Sequence, residues 1–176
     1  MPVFILEFDT PFGKMAACRT GGFITHMLLP GDARPDGGYA VPALCDRLLD
    51  EAAAQMKAYF EGKLTAFSLP LNPRGAEFMR AVWDVLLKIP YGRTSTYGEV
   101  AAAAGRPKAA RAAGQANNKN PIAVVIPCHR VLGANGRLTG YRGGLQIKER
   151  LLELERSVLN NAAAPGVDYL AGPVRC

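Results

Sequence analysis

The chain has 176 residues, of which 49% are apolar, enough for one generous domain or two small ones around a shared core. No apolar run approaches the ~20 residues of a membrane span, and Met1 to Thr20 lacks the basic start and apolar core of a signal peptide, so the sequence reads as a cytoplasmic protein with no membrane partner. The net charge of +6 is unevenly placed: residues 1 to 70 carry six Lys/Arg against eight Asp/Glu, whereas residues 71 to 176 carry fifteen against seven.

Chain order begins with PVFILEFDTPFGKMAACRTGGFITHMLL, whose β-rich runs, broken by Pro-Phe-Gly and Gly-Gly, predict an antiparallel meander. PGDARPDGGYAVP reads as a loose loop. Leu44, Leu48, Ala52, Met56 and Phe60 then recur every four residues and mark the apolar face of a covering helix. SLPLNPRG looks like a linker. Beyond it, Phe78, Val82, Val85, Leu86 and Ile89 mark a second amphipathic helix ended by Pro90-Tyr91-Gly92. Thr96 and Glu99 have the spacing of a capping box, Gly105 stops the short helix that follows, and Pro107 suits the first turn of the next, PKAARAAGQANN. Helix, turn, helix is thus outlined. Ile147, Leu151, Leu154 and Val158 mark a last helix. The expected fold class is α+β: residues 1–72 form a small meander with its helix, residues 73–160 a mainly helical domain, and residues 161–176 a tail.

From Lys88 to Arg142 stand nine basic residues and one acid, Glu99, a field suited to a polyanion. The helix carrying Ala109, Ala110, Ala112, Ala113 and Gly114 is almost bare of side chains. Such a helix either packs tightly against neighbours or approaches a shallow groove, with Arg111 as its one long side chain; it lacks the Asn, Gln or Arg display of a major-groove reader.

Cys18, Cys45, Cys128 and Cys176 are scattered without the spacing of a disulfide framework or a CxxC site, and His26 and His129 are the only histidines, so no metal site is expected. Cys128 lies at the end of the apolar run NPIAVVIPCHRVL, which reads as a buried strand. A cysteine there is ordinarily a small core hydrophobe, yet Pro127 before it, His129 beside it and basic residues nearby favour a thiolate of lowered pKa. Adjacent side chains of an extended segment point apart, so a Cys128–His129 relay needs a bridging water or a sharp turn after Pro127.

The run PCHRV resembles the active-site signature of the O6-alkylguanine-DNA alkyltransferases. The resemblance continues in register through RTSTYGEVAAAAGRPKAARAAGQANNKNPIAVVIPCHRV and TGYRGGLQIKERLLELE, roughly Phe78 to Glu155, and the first 70 residues match only in layout. It implies direct, irreversible transfer of an alkyl group from O6-alkylguanine (and O4-alkylthymine) in double-stranded DNA to Cys128, one turnover per chain, without cofactor. With no coiled-coil or self-complementary apolar surface visible in the sequence, a monomer is expected. The helix-turn-helix, with Ala109, Ala110, Ala112 and Gly114, would press on the minor groove. Arg111 matches the residue that fills the stack when the base is flipped out. Tyr97 matches the tyrosine that assists rotation and donates a proton to guanine, and Asn120 the asparagine that braces the turn. By the same resemblance His129, through a water, takes the thiol proton and Glu155 orients it. The carbonyls of Cys128 and Val131 receive the guanine amino group, and Tyr141, Arg142 and Gly143 line the pocket; Arg142 stands where a small residue is common. Arg130 is expected to tie the turn to the domain interface. Alternatives are a lesion-binding alkyltransferase-like protein that does not repair, a helix-turn-helix transcription factor, and a thiol hydrolase.

Overall fold

The computed structural model describes residues 1–162. Strands β1 (Val3–Thr10), β2 (Gly13–Thr20) and β3 (Phe23–Leu28) form an antiparallel meander. A fourth strand, β4 (Gly38–Ala40), pairs parallel to β1, giving the order β3-β2-β1-β4. Part of the segment expected as a loose loop is therefore an edge strand. Its residues are too few and too polar in context to show a period.

Helix α1 (Arg47–Phe60) covers the sheet. Asp46 caps it, accepting from the Leu49 amide at 3.2 Å, which excludes Leu44 from the helix; Leu44 is exposed, at a φ of 65°. The buried face is Leu49, Ala52, Gln55, Met56 and Tyr59, so the four-residue spacing from Leu44 to Phe60 is rotated from the true face. The supposed linker is also pinned. The Ile24 amide donates to Pro70 O (2.8 Å) and the Asn72 amide to Ile24 O (3.0 Å), extending the β3 edge.

Helix α2 (Glu77–Leu86) buries Val82, Trp83 and Leu86. A short strand β5 (Ser95–Thr96) leads into α3 (Tyr97–Ala103), which carries the expected capping box of Thr96 and Glu99. Helix α4 (Ala110–Asn118) starts later than expected: Ala109 is its N-cap, and Pro107 lies in the turn before it. The smooth side of α4 is partly packed inward, with Ala113 and Ala116 buried and the Trp83 indole donating to Ala116 O at 2.9 Å, while Arg111 and Ala112 are exposed. Strand β6 (Val131–Leu132) pairs parallel to β5.

Helix α5 (Leu145–Ala162) closes the described chain. Residues 161 and 162, assigned to the tail, belong to it, and residues 163–176 lie outside the described residues. One apolar cluster runs from Leu6 and Met15 through Met56 and Trp83 to Ile126 and Leu151, so both parts share a core. Among the described residues no helix is long and apolar enough to cross a membrane.

Candidate active site

Asn120 to Pro127 is not a strand. The Ile126 amide folds back on Ile122 O at 2.9 Å and Val124 adopts a φ of 71°, a region a β-branched residue enters only at a cost of about 1–3 kcal/mol. Asn120 holds this bend: its Nδ2 donates to Ile126 O (2.8 Å) and its Oδ1 accepts from the Ile122 amide (3.0 Å). Pro127 then opens a single 3₁₀ turn, Cys128–Arg130. It is this turn that lets consecutive Cys128, His129 and Arg130 face different neighbours. The Asn117 side chain donates to Cys128 O at 3.3 Å.

Cys128 is 4% exposed and lies on a cavity of about 10 Å³ lined by Leu29, Asn117, Asn118, Asn120, Ala123, Tyr141 and Arg142, room for about one water. Asn118 and Tyr141 also line a wide groove of about 520 Å³ with Tyr97, Arg111, Gly114, Gln115 and Gly140. Seven of the residues proposed from sequence thus fall into two sets, and Val131, His129 and Glu155 line neither. Cys128, Asn120, Tyr141 and Arg142 meet in the cavity; Tyr97, Arg111 and Gly114 meet in the groove outside, where Tyr97 donates to Thr139 O at 3.4 Å. Ala109, the N-cap of α4, and Ala110 and Ala112 within the helix do not line this groove. Gly143 packs under the cavity wall, where a Cβ would come within 2.8 Å of Leu29 Cδ1.

The expectation of a lowered thiol pKa is corrected. Burial pushes the Cys128 thiol up, and the side chain of Asn120 with the charges of Arg142 and Lys148 pulls it only part of the way back. Desolvation disfavours the thiolate more than these neighbours favour it.

Behind the turn lies a hydrogen-bonded hub. Glu155 on α5 is 0% exposed and accepts from Tyr59 Oη (2.7 Å), His129 Nε2 (2.8 Å), the Gly92 amide (2.8 Å) and Arg130 Nη2 (2.8 Å), with Arg130 Nε at 3.0 Å. Arg130 Nη1 donates to Ile89 O at 2.6 Å. Burial raises the Glu155 pKa, but the hydrogen bonds from His129 and Arg130 and the guanidinium charge outweigh it and bring the group to about 2. An ionised carboxylate only accepts, so His129 Nε2 carries the proton and Nδ1 presents a bare lone pair. That Nδ1 is buried with no hydrogen-bond partner among the described residues. Burial holds the imidazole neutral, lowering its pKa against the pull of Glu155. The arrangement is a protected thiol next to an oriented neutral base.

Two matches divide the chain. Residues 7–73 match the 6-O-methylguanine DNA methyltransferase ribonuclease-like domain and residues 77–157 the DNA binding domain of the same family. A methylated-DNA–protein-cysteine methyltransferase of Mycobacterium tuberculosis is 45% identical over 150 residues, 85% of this chain and 90% of that protein. The chain belongs to the 6-O-methylguanine DNA methyltransferase family. A Methanosarcina acetivorans relative of the same name is 60% identical over 107 residues, 61% of this chain and 69% of its own length. The solved structure of Mycobacterium tuberculosis OGT in complex with DNA matches at a TM-score of 0.82 and 43% identity, covering 88% of this chain and 94% of that one.

Sequence reasoning missed several contributors to this methyltransferase-family site. Tyr59 was passed over for its neighbour Phe60. Lys148, 0% exposed, donates to Val131 O (2.6 Å) and Thr139 O (2.8 Å), and burial brings its pKa down to about 8; in QIKER it looks like any solvated helix lysine. Asn117 and Asp32 carried no signal at all. Among the described residues no three His, Cys, Asp or Glu side chains cluster as a metal site requires.

Proposed function

We propose that this methylated-DNA–protein-cysteine methyltransferase repairs O6-alkylguanine, and O4-alkylthymine, in double-stranded DNA by moving the alkyl group irreversibly onto Cys128, once per chain. The unit spanning residues 73–160 does the chemistry and residues 1–72 wall the site, in a cytoplasmic monomer that uses no cofactor. Helices α3 and α4 act as a helix-turn-helix on the minor groove, where Ala109, Ala110, Ala112 and Gly114 permit close approach. Arg111 fills the stack as the damaged base swings out.

The thiol proton passes through a water to His129 Nδ1 while Nε2–H is held by Glu155. The sulfur then displaces guanine from the alkyl carbon: an S–C bond forms, the C–O6 bond breaks, and the departing base takes a proton from Tyr97, which regains one from solvent. Asn120 braces the turn, the carbonyls of Cys128 and Val131 receive the exocyclic amine, and Tyr141, Arg142 and Gly143 line the alkyl side. A thioether is not readily cleaved, so the chain acts once. What supports this reading above all is the Cys128 sulfur on a cavity that shares Asn118 and Tyr141 with the groove of Tyr97, Arg111 and Gly114, together with the buried, unpartnered Nδ1 of the adjoining residue His129.

The test is a duplex bearing O6-methylguanine with a labelled methyl group. One equivalent of label is expected on Cys128, and none on a Cys128→Ala variant that still binds DNA. Release of labelled methanol would make the protein a hydrolase, and binding without label would make it a lesion-recognition protein.

A further inference from the structure

The cavity over Cys128 holds about one water, and a purine does not fit there, so part of its wall must move before any base can reach the sulfur. Tyr141 and Arg142 supply the movable part. The segment carrying them is fixed at both ends: Lys148 Nζ holds Thr139 O at 2.8 Å, and Gly144, immediately before α5, accepts at its carbonyl from the Lys148 amide at 3.3 Å. Between these anchors, Gly140 and Gly144 stand at φ of 29° and 88°, positions that give the backbone freedom to pivot.

Two contacts tie the segment to the opposite wall. Gly143 packs on Leu29, and Arg142 Nη2 pairs with Asp32 Oδ2 at 2.9 Å. The same Asp32 oxygen accepts from the Leu29 amide at 2.8 Å, so the acid that receives Arg142 also fixes the backbone of a cavity-lining residue. The pair is only partly shielded, with 31% of the Arg142 side chain and 15% of Asp32 exposed. Such a pair is weak and salt-sensitive, suited to a closure that must open. The Arg142 charge also reaches His26, whose pKa is lowered by burial and then by Arg142, and the Cys128 thiol and Tyr141 hydroxyl, whose pKa values it pulls down against burial.

We propose that the Asp32–Arg142 ion pair is a latch that keeps the 140–144 segment shut over Cys128 and so determines how large a group the sulfur can accept. Asp32 is then a specificity-determining residue in the otherwise acidic first part of the chain, acting through Arg142 without touching substrate. For the alkyl group the proposal rests on the transfer reading above; the closure itself does not.

Asp32→Asn is the clean variant, because its amide oxygen can still accept from Leu29 while the charge is lost. Carboxamidomethylation of Cys128 is followed on its peptide by mass spectrometry with two neutral reagents, iodoacetamide and the bulkier iodoacetanilide. The latch predicts that Asp32→Asn speeds iodoacetanilide about twofold to fivefold and iodoacetamide less. One molar salt should act likewise on the natural protein but not on the variant, and Asp32→Asn should have no further effect in an Arg142→Gln background. Equal acceleration of both reagents would mean that only the thiol's ionisation had changed. That result, no change, or an effect that survives Arg142→Gln would each overturn the latch. In a separate arm the free bases O6-methylguanine and O6-benzylguanine are compared, and Asp32→Asn should raise the benzyl-to-methyl rate ratio. If neither base alkylates Cys128 while the reagents behave as stated, the transfer reading falls and the latch stands.

Discussion

Glu155→Gln removes one negative charge from a site where four groups point at it. Arg130 loses its counter-ion while remaining buried, and removing one partner of a buried pair costs about 3–5 kcal/mol. The pKa gives an independent figure. Glu155 is held at about 2 against an ordinary 4.5, which corresponds to roughly 3 kcal/mol in favour of the ionised form. A folded-state pKa below the unfolded one adds stability that is present above about pH 4.5 and is lost as pH falls toward 2. Urea unfolding should therefore show the variant less stable by about 3 kcal/mol or more at pH 7, with the gap closing between pH 5 and pH 2. The chemistry suffers in parallel. A glutamine can present its NH₂ to His129 Nε2, forcing the proton onto Nδ1 and removing the base, so the single-turnover transfer rate should fall about 100-fold. A stability loss under about 1 kcal/mol at pH 7, or a gap independent of pH, would refute the hub as the source of this stabilisation.

Lys148→Met takes the ammonium donor from Val131 O and leaves Thr139 O with the Tyr97 hydroxyl at 3.4 Å, a loss of about 1–3 kcal/mol. Because burial sets the Lys148 pKa at about 8, the unfolded chain binds the extra proton between pH 8 and pH 10.5, and the stability that the natural protein gains over that window should be absent from the variant by denaturant titration. Arg111→Ala should slow repair of duplex about tenfold, the order of 1.4 kcal/mol, and leave alkylation by free O6-benzylguanine nearly unchanged. Equal losses in the two assays would remove Arg111 from base extrusion.

The legible parts of the sequence were those fixed by local rules. The Thr96–Glu99 capping box and the period of Phe78, Val82, Val85 and Leu86 rest on neighbours three and four residues away, and both stand in the structure. The meander was legible from its turns. The family register brought Cys128, His129 and Glu155 to notice as a group. What the sequence concealed depends on distant partners. An apolar run such as PIAVVIP reads as a strand until Asn120 folds it back and Val124 is forced to a positive φ. Leu44 shares a four-residue spacing with the helix, but Asp46, neutralised by Arg19 from β2, decides where that helix begins. Lys148 and Asp32 are ordinary charged residues in sequence, and only the carbonyls or guanidinium brought to them by the fold give them a role.

The direction of the Cys128 shift changes how reactivity must be organised. A nucleophilic cysteine used repeatedly is commonly kept as a thiolate by nearby positive charge, and the basic surroundings of Cys128 suggested the same. In the closed cavity burial wins and the thiol keeps its proton. On the proposed reading, in which one alkylation consumes the acceptor, a standing thiolate would be open to any electrophile that diffused in, and each such event would remove a chain from use. A protonated sulfur behind Tyr141 and Arg142 resists this. In the proposed mechanism the neutral His129, its Nδ1 bare and its Nε2 committed to Glu155, supplies the base through a water to the thiol. If so, the pH dependence of Cys128 labelling and that of transfer from duplex should separate. Labelling by iodoacetamide should keep rising above pH 9 as the thiol ionises, whereas transfer should level off at a lower pH than an ordinary imidazole would set, because burial lowers the His129 pKa. A transfer rate that climbs alongside labelling through pH 9 would show the preformed thiolate, rather than the His129 relay, to be the reacting species.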